Sequence, residues 1–139
     1  MYHPHVGDHV FFYGTLMSPF NRPGRQRITP KLTYTGRGSI RAALFDLGMY
    51  PAAVPAEDAS KVWGEIYEMS DSASVLSALD EIEGYRASEP DQSLYTRVVT
   101  DVTLEDGRVQ QAWAYFWNAP LGGAQRIESG DYLEHLKGK

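Results

Sequence analysis

Two short stretches of the sequence carry residues whose types and spacing could support acid–base chemistry. Residues 10–18 read VFFYGTLMS, a strand-like run of β-branched and aromatic residues that stops at Gly14. A strand that stops at a glycine leaves backbone N–H groups that can pair with an anion or a developing oxyanion. Residues 79–85 read LDEIEGY and bring three acids to the end of an apolar helical pattern. The simpler interpretation of the first stretch is a buried strand followed by an ordinary turn.

Glu83 is the acid of the second stretch that the helical pattern directs towards the core. On a helical wheel of about 100° per residue it falls between Leu76 and Leu79, inside the apolar stripe. Asp80 falls on the flank of this stripe, and Glu81 falls on the far side. We therefore expect Glu83, and not its neighbours, to point inwards.

The position of Glu83 also predicts an unusual protonation behaviour. It is the last residue before Gly84, which should end the helix, and the partial negative charge of a helix C-terminus disfavours a carboxylate. Burial disfavours the ionised form as well, so we expect a raised pKa that suits a group exchanging a proton near neutral pH. The alternative is that Glu83 bends out to solvent or pairs with Arg86 or Arg97.

Length, charge and composition narrow the class of protein. The 139 residues suit a single domain, residues 1–139, with residues 1–8 as a loose N-terminus that lacks the pattern of a signal peptide. The net charge of −5 argues against a nucleic-acid partner, and no apolar run approaches the length of a membrane span. We interpret the basic stretch 22–27 as a solvated loop.

Cysteine is absent, which excludes disulfides, thiolate metal sites and cysteine nucleophiles and makes the cytoplasm the default location. The other metal-ligand candidates are three early histidines, which lie at the start of the chain. We therefore assign His3, His5 and His9 to the loose terminus and predict no metal site. His135 is interpreted as a surface residue.

The secondary-structure pattern predicts an α+β fold. Residues 9–13, 39–47 and 62–69 read as strands, residues 52–60 as a loop, and residues 17–31 as an irregular connection with at most a short helix. A helix follows Ser70 or Asp71 and ends at Glu83, and the final segment is helical after residues 129–130. Residues 94–104 and 109–117 form a hairpin around an Asp-Gly turn. Because several strands are apolar on both faces, a small barrel is expected.

Taken together and in this order, the motifs resemble the γ-glutamylcyclotransferase-like family, which includes the AIG2-like proteins, in its short bacterial form. The resemblance extends from about residue 10 to residue 132. The matching segments are residues 13–16 (YGTL), 45–52 (FDLGMYPA), 62–67 (VWGEIY), 79–84 (LDEIEG), 95–97 (YTR), 114–115 (AY) and 127–132 (IESGDY).

The resemblance implies an α+β fold with a small mixed β-barrel and flanking helices, and a chemistry without cofactor or metal. A γ-glutamyl amide cyclises as its α-amino group attacks the side-chain carbonyl, releasing 5-oxoproline and a free amine. By its place in the motif, Glu83 would be the general acid/base. The substrate, a small γ-glutamyl molecule, would be bound by the backbone amides of Gly14, Thr15 and Leu16.

Two tyrosines complete the site that the resemblance implies. Tyr13 would shape the pocket. Tyr115 would line it near Glu83, where it could hydrogen-bond to the carboxylate. These roles depend on the family match alone, and the residue pattern by itself assigns Tyr115 to the core.

Two alternatives to a cyclising enzyme remain open at this point. One is a non-catalytic module that uses the same pocket to bind a small carboxylate or a peptide end. The other is γ-glutamyl transfer to water, which would release glutamate in place of 5-oxoproline. The oligomeric state and the leaving amine cannot be deduced from the sequence.

Overall fold

A computed structural model of the chain describes residues 8–20, 23–48, 50–56, 58–86, 88–89 and 92–138. The strands are β1 (His9–Phe12), β2 (Leu32–Asp46), β3 (Pro51–Pro55), β4 (Lys61–Met69), β5 (Tyr95–Leu104), β6 (Val109–Trp117) and β7 (Gln125–Arg126). The helices are α1 (Pro23–Ile28), α2 (Ser72–Glu83) and α3 (Tyr132–Lys137). Short 3₁₀ turns lie at Ser18–Phe20 and Thr29–Lys31.

Five strands close into a barrel in the order β2-β4-β1-β6-β5, and pairing of β5 with β2 completes the ring. β1 is antiparallel to β4 and parallel to β6, so the barrel is mixed. β3 and β7 both pair with the last part of β2 and extend the sheet outside the ring. The predicted α+β fold with a small mixed β-barrel and flanking helices is confirmed.

The predictions were less accurate for β2 and β3. β2 starts at Leu32, seven residues before the predicted strand, because its first half is exposed and shows no apolar alternation. The predicted loop at 52–60 is wrong, since β3 occupies Pro51–Pro55. A strand with a proline at each end is tolerated at a sheet edge, where those positions need no N–H donor. The hairpin of β5 and β6 pairs as predicted, with Tyr95 opposite Trp117.

The core fills the barrel and the space beneath α2. Phe11 of β1, Ile66 of β4 and Leu79 of α2 are among the largest fully buried side chains. α2 ends as the sequence predicts, because Gly84 adopts a left-handed conformation with φ of 69° and its N–H caps the helix. The packing of Leu79 fixes α2 on the barrel, so the end of the helix is held close to the end of β1.

Candidate active site

All six residues that the sequence proposes for the site line one cavity of about 290 Å³. The cavity lies where β1 ends, α2 ends and the β5–β6 hairpin passes beside them. These six residues are Tyr13, Gly14, Thr15, Leu16, Glu83 and Tyr115. The loop after β1 and the end of α2 are therefore neighbours in space.

The loop after β1 is a tight turn pressed against β3. The N–H of Met17 donates to the carbonyl of Gly14 at 3.0 Å, which closes the turn. A Cβ atom added at Gly14 would lie 2.8 Å from Cγ of Pro51, closer than real Cβ contacts come. Glycine is therefore needed here for the close approach of β3 and not for an unusual backbone angle.

A buried arginine anchors the other end of this loop. Arg25 of α1 is 7% exposed, and its Nε donates to the carbonyl oxygen of Leu16 at 3.0 Å. Its guanidinium lies 4.8 Å from the ring centroid of Tyr67 and 5.6 Å from that of Phe12. The prediction that this basic stretch is a solvated loop is wrong for Arg25, because the side chain inserts between two rings and a carbonyl.

Glu65 of β4 fixes the chain just beyond the loop. One carboxylate oxygen accepts from the Ser18 N–H at 2.8 Å and from the Tyr67 hydroxyl at 2.9 Å. The other oxygen accepts from the Ser18 hydroxyl at 2.9 Å. The loop at 14–17 is thus held by Arg25 on its inner side and by Glu65 at its exit.

Glu83 occupies the cavity wall at the end of α2, half-buried. Glu81, two residues earlier, also reaches the cavity rim, but its side chain is 75% exposed and its carboxylate lies 3.9 Å from Arg27. Glu83 is therefore more buried than Glu81, as the helical wheel predicts. The predicted rise in the pKa of Glu83 itself stays a prediction.

The charge of Glu83 acts on two buried tyrosine hydroxyls. Burial raises the pKa of Tyr13 far above its usual value, and the neighbouring negative charge of Glu83 adds to the effect. The pKa of Tyr115 is raised by burial, by its hydrogen bond to Asp80 and, to a smaller extent, by Glu83. Both phenols therefore stay protonated, and both lie within electrostatic reach of the carboxylate.

The proton of each phenol is directed away from Glu83. The Tyr13 hydroxyl donates to the backbone carbonyl of Tyr115 at 2.6 Å and accepts from the Ala53 N–H at 3.3 Å. The Tyr115 hydroxyl donates to Oδ1 of Asp80 at 2.6 Å. A hydroxyl has one proton, and that of Tyr115 is used in the bond to Asp80. Tyr115 therefore does not make the hydrogen bond to Glu83 that the family resemblance suggests.

The pair of Asp80 and Arg97 is a feature that the sequence analysis missed. Arg97 binds the carboxylate of Asp80 with both arms, Nε to Oδ1 at 2.9 Å and Nη2 to Oδ2 at 3.2 Å. Both oxygens of the Asp80 carboxylate therefore accept from Arg97. The sequence contains one indication that Arg97 lies near the site. The Asp-Gly turn at 106–107 sets the register of the hairpin and places Arg97 directly opposite Tyr115.

An aromatic group forms the outer wall of the cavity. Tyr95 is buried, and its hydroxyl donates to the Pro51 carbonyl at 3.0 Å. Its ring centroid lies 5.1 Å from that of Trp117 and 6.2 Å from that of Tyr50. Tyr50 and Tyr95 both line the cavity.

The histidines take different positions. His3 and His5 lie outside the described residues, whereas His9 is buried within β1 and not in a loose terminus. His135 is not a simple surface residue, because its Nε2 lies 2.8 Å from Oδ2 of Asp46 and its side chain is 15% exposed. Within the described ranges, no three His, Asp or Glu side chains are grouped closely enough to hold a metal ion.

The fold and the site define a class of protein, a small mixed β-barrel with a carboxylate and a backbone loop facing one cavity. The family model for γ-glutamyl cyclotransferase, AIG2-like proteins matches residues 10–134. The chain therefore belongs to this family, as the resemblance of its motifs predicts. Family membership makes a small-molecule substrate the expected partner.

Sequence and structure relatives agree with this placement. The γ-glutamylcyclotransferase family protein YtfP of Escherichia coli K12 is 30% identical over 130 residues, covering 92% of this chain and 98% of YtfP. The solution NMR structure of the Escherichia coli ytfP protein superposes with a TM-score of 0.63 at 31% identity, over 91% of this chain and 97% of that chain.

Two further structures show the same fold at lower identity. An AIG2-like protein from Mus musculus has a TM-score of 0.65 at 24% identity, covering 89% of this chain and 88% of that one. YkqA from Bacillus subtilis has a TM-score of 0.69 at 24% identity, and the match covers 95% of this chain but 43% of YkqA. The fold therefore also occurs within a longer chain.

Membrane insertion through a helix has no support in the described part of the chain. None of its helices has the length and apolar character that a membrane crossing requires.

Proposed function

We propose that this protein is a γ-glutamyl cyclotransferase that converts a γ-glutamyl amide into 5-oxoproline and a free amine. The observation that carries the proposal is the placement of Glu83 and the 14–16 loop on the walls of one cavity. A carboxylate and a set of backbone N–H groups are the two components that this cyclisation needs, one to move protons and one to hold negative charge. The reaction as written requires no cofactor and no metal.

The reaction begins with the α-amino group of the substrate. Glu83 takes a proton from the α-ammonium, and the freed amine attacks the γ-carbonyl carbon to form the five-membered ring. The carbonyl oxygen gains negative charge while the new C–N bond forms. Glu83 passes this proton to the departing nitrogen as the old C–N bond breaks. The ring nitrogen still carries two protons, and Glu83 transfers one of them to the freed amine, which leaves as an ammonium while Glu83 ends the cycle ionised.

The loop after β1 would hold the negative charges of the substrate. The amides of Gly14, Thr15 and Leu16 are proposed to bind the α-carboxylate or the oxyanion. Arg25 and Glu65 hold this loop by hydrogen bonds, which supports a preorganised role for it. Tyr13 and Tyr115 would shape the wall around Glu83.

A substrate panel tests this proposal. Purified protein is incubated with γ-glutamyl alkylamines, γ-glutamyl amino acids and N-ε-(γ-glutamyl)-lysine, and 5-oxoproline and glutamate are quantified separately. We expect 5-oxoproline from at least one class. Glutamate in its place would indicate transfer to water, and binding without either product would favour the non-catalytic module.

A further inference from the structure

The hydrogen bonds that join Asp80, Arg97 and Tyr115 have no role in the proposed reaction. Tyr115 lines the cavity with its phenol buried, but its hydroxyl proton points to Asp80, which lies behind the cavity wall. Asp80 in turn receives both arms of Arg97. The side chains of Asp80 and Arg97 are 21% and 18% exposed, so water does not readily replace either partner.

The single proton and two lone pairs of the Tyr115 hydroxyl limit the hydrogen bonds that it can make to a ligand. A phenol has one proton and two lone pairs, and the proton is used in a 2.6 Å bond to a carboxylate. An ionised carboxylate only accepts, so the direction of this bond cannot reverse while Asp80 is charged. The hydroxyl oxygen can therefore act towards the cavity only as an acceptor.

The same holds for the second phenol near Glu83. The Tyr13 proton goes to the carbonyl of Tyr115 at 2.6 Å. This part of the wall thus presents the carboxylate of Glu83 and a phenol oxygen whose proton is turned away. Such a surface attracts a group that is cationic and rich in N–H donors.

We infer that Asp80 and Arg97 are positioning residues that fix Tyr115 as a hydrogen-bond acceptor for the α-ammonium group of the substrate. The inference builds on the proposed function and orients the substrate within it. The ammonium lies between Glu83 and the Tyr115 oxygen, and the carboxylate and carbonyl face the 14–16 loop. Arg97 keeps the charge of Asp80 balanced, so that Asp80 does not compete with Glu83 for the ammonium.

Two ligands that differ in the presence of the α-ammonium group measure the contribution of this group to binding and turnover. γ-Glutamyl-butylamide carries the α-ammonium, and glutaric acid monobutylamide has the same carboxylate and amide without it. The first is followed by kcat/KM for 5-oxoproline release, and the second by Kd from calorimetry. In Tyr115→Phe we expect kcat/KM to fall about 10- to 100-fold, the value of one hydrogen bond to a charged group. The Kd of the desamino ligand should change by less than about threefold.

Removal of the Asp80 carboxylate provides the readout that a merely structural role would not give. The Tyr115 hydroxyl and Nε of Arg97 donate to the same oxygen, Oδ1 of Asp80, so Asp80→Ala leaves the phenol proton free to turn towards the cavity. We expect Asp80→Ala to lower kcat/KM at least as much as Tyr115→Phe, whereas Asp80→Asn, whose amide oxygen can take the place of Oδ1, should retain more activity. The loss in the double variant of Asp80→Ala and Tyr115→Phe should be smaller than the product of the two single losses, because without the hydroxyl there is no proton to misdirect.

Further variants act as controls for folding and charge. Arg97→Lys keeps a charge beside Asp80 and should retain more activity than Arg97→Met. Tyr34→Phe removes a hydroxyl from a tyrosine that is 57% exposed and should match the wild type. Near-native circular dichroism of each variant confirms that the fold is present.

The outcomes separate this inference from the proposed function. Full activity in Tyr115→Phe, equal weakening of both ligands, or losses that multiply in the double variant would overturn the ammonium site while leaving the enzyme assignment intact. A wild-type protein that releases no 5-oxoproline from any γ-glutamyl compound would overturn both.

Discussion

Replacing the buried Arg25 should destabilise the protein and loosen the loop that faces the candidate site. In Arg25→Met, the Leu16 carbonyl loses its donor, and an unsatisfied buried carbonyl costs about 1–3 kcal/mol. Loss of the guanidinium from the rings of Tyr67 and Phe12 removes about 1 kcal/mol more. The apolar Met side chain fills part of the space, so we expect a net loss of about 2–4 kcal/mol.

Arg27 offers a matched control on the same helix. Its side chain is 62% exposed, and its nearest acid, Glu81, lies 3.9 Å away and is 75% exposed. An exposed ion pair of this kind is worth at most about 0.5 kcal/mol, so Arg27→Met should be nearly neutral. Arg25→Lys should be intermediate, because a lysine can reach the Leu16 carbonyl but cannot also bond Thr29 as the guanidinium does.

Equilibrium urea denaturation, followed by circular dichroism, measures these differences. With a slope of about 2 kcal/mol per molar urea, the expected loss moves the midpoint of Arg25→Met down by about 1–2 M. The midpoint of Arg27→Met should stay within about 0.3 M of the wild type. If both variants shift equally, the anchoring role assigned to Arg25 is wrong.

Two further predictions concern the fold and the phenols. Gly130→Ala should destabilise the protein by well over the roughly 1 kcal/mol expected for Gly122→Ala. Both glycines have positive φ, but an added Cβ at Gly130 would also clash with the carbonyl of Lys61. Thermal melting compares the two variants, and equal Tm values would contradict this contact. Tyr13 and Tyr115 have raised pKa values in the folded state, so their titration does not change stability below pH about 10. Above that pH the unfolded phenols lose protons that the folded ones keep. Stability should then fall by about 1.4 kcal/mol per pH unit for each phenol, and the double Tyr→Phe variant should show a shallower fall in urea melts at pH 10–11.

The direction of Glu83 could be predicted because it depends on local periodicity. A twelve-residue helix with a single apolar stripe has one face to bury, and Gly84 fixes where it ends. The turn after β1 was predictable for a similar reason, since Gly14 interrupts a strand pattern. The family motifs then joined two regions that are far apart in the chain.

The contacts that hold the site in place could not be predicted in the same way. Arg25 lies in a basic, proline-containing stretch that looks solvated, and only the folded barrel brings the Leu16 carbonyl to it. β3 shows too short a pattern between its prolines to be distinguished from a loop. The bonds that Arg97 donates to Asp80 depend on how α2 packs across the hairpin, which the residue pattern does not show.

The central claim is that Glu83 moves the protons of the cyclisation, and its amide variant tests this most directly. Glu83→Gln keeps the size and shape of the side chain but cannot take up a proton. Rates of 5-oxoproline release are measured for the wild type, Glu83→Gln and Glu81→Gln with the best substrate of the panel, together with the Kd of each for 5-oxoproline.

We expect Glu83→Gln to lose at least about 100-fold in kcat while binding 5-oxoproline within about threefold of the wild type, because general acid–base catalysis contributes about 10²- to 10⁴-fold. Glu81→Gln, which changes the exposed acid two residues earlier, should keep its rate. Release of 5-oxoproline by Glu83→Gln at a rate within tenfold of the wild type would contradict the assignment of Glu83 as the general acid/base.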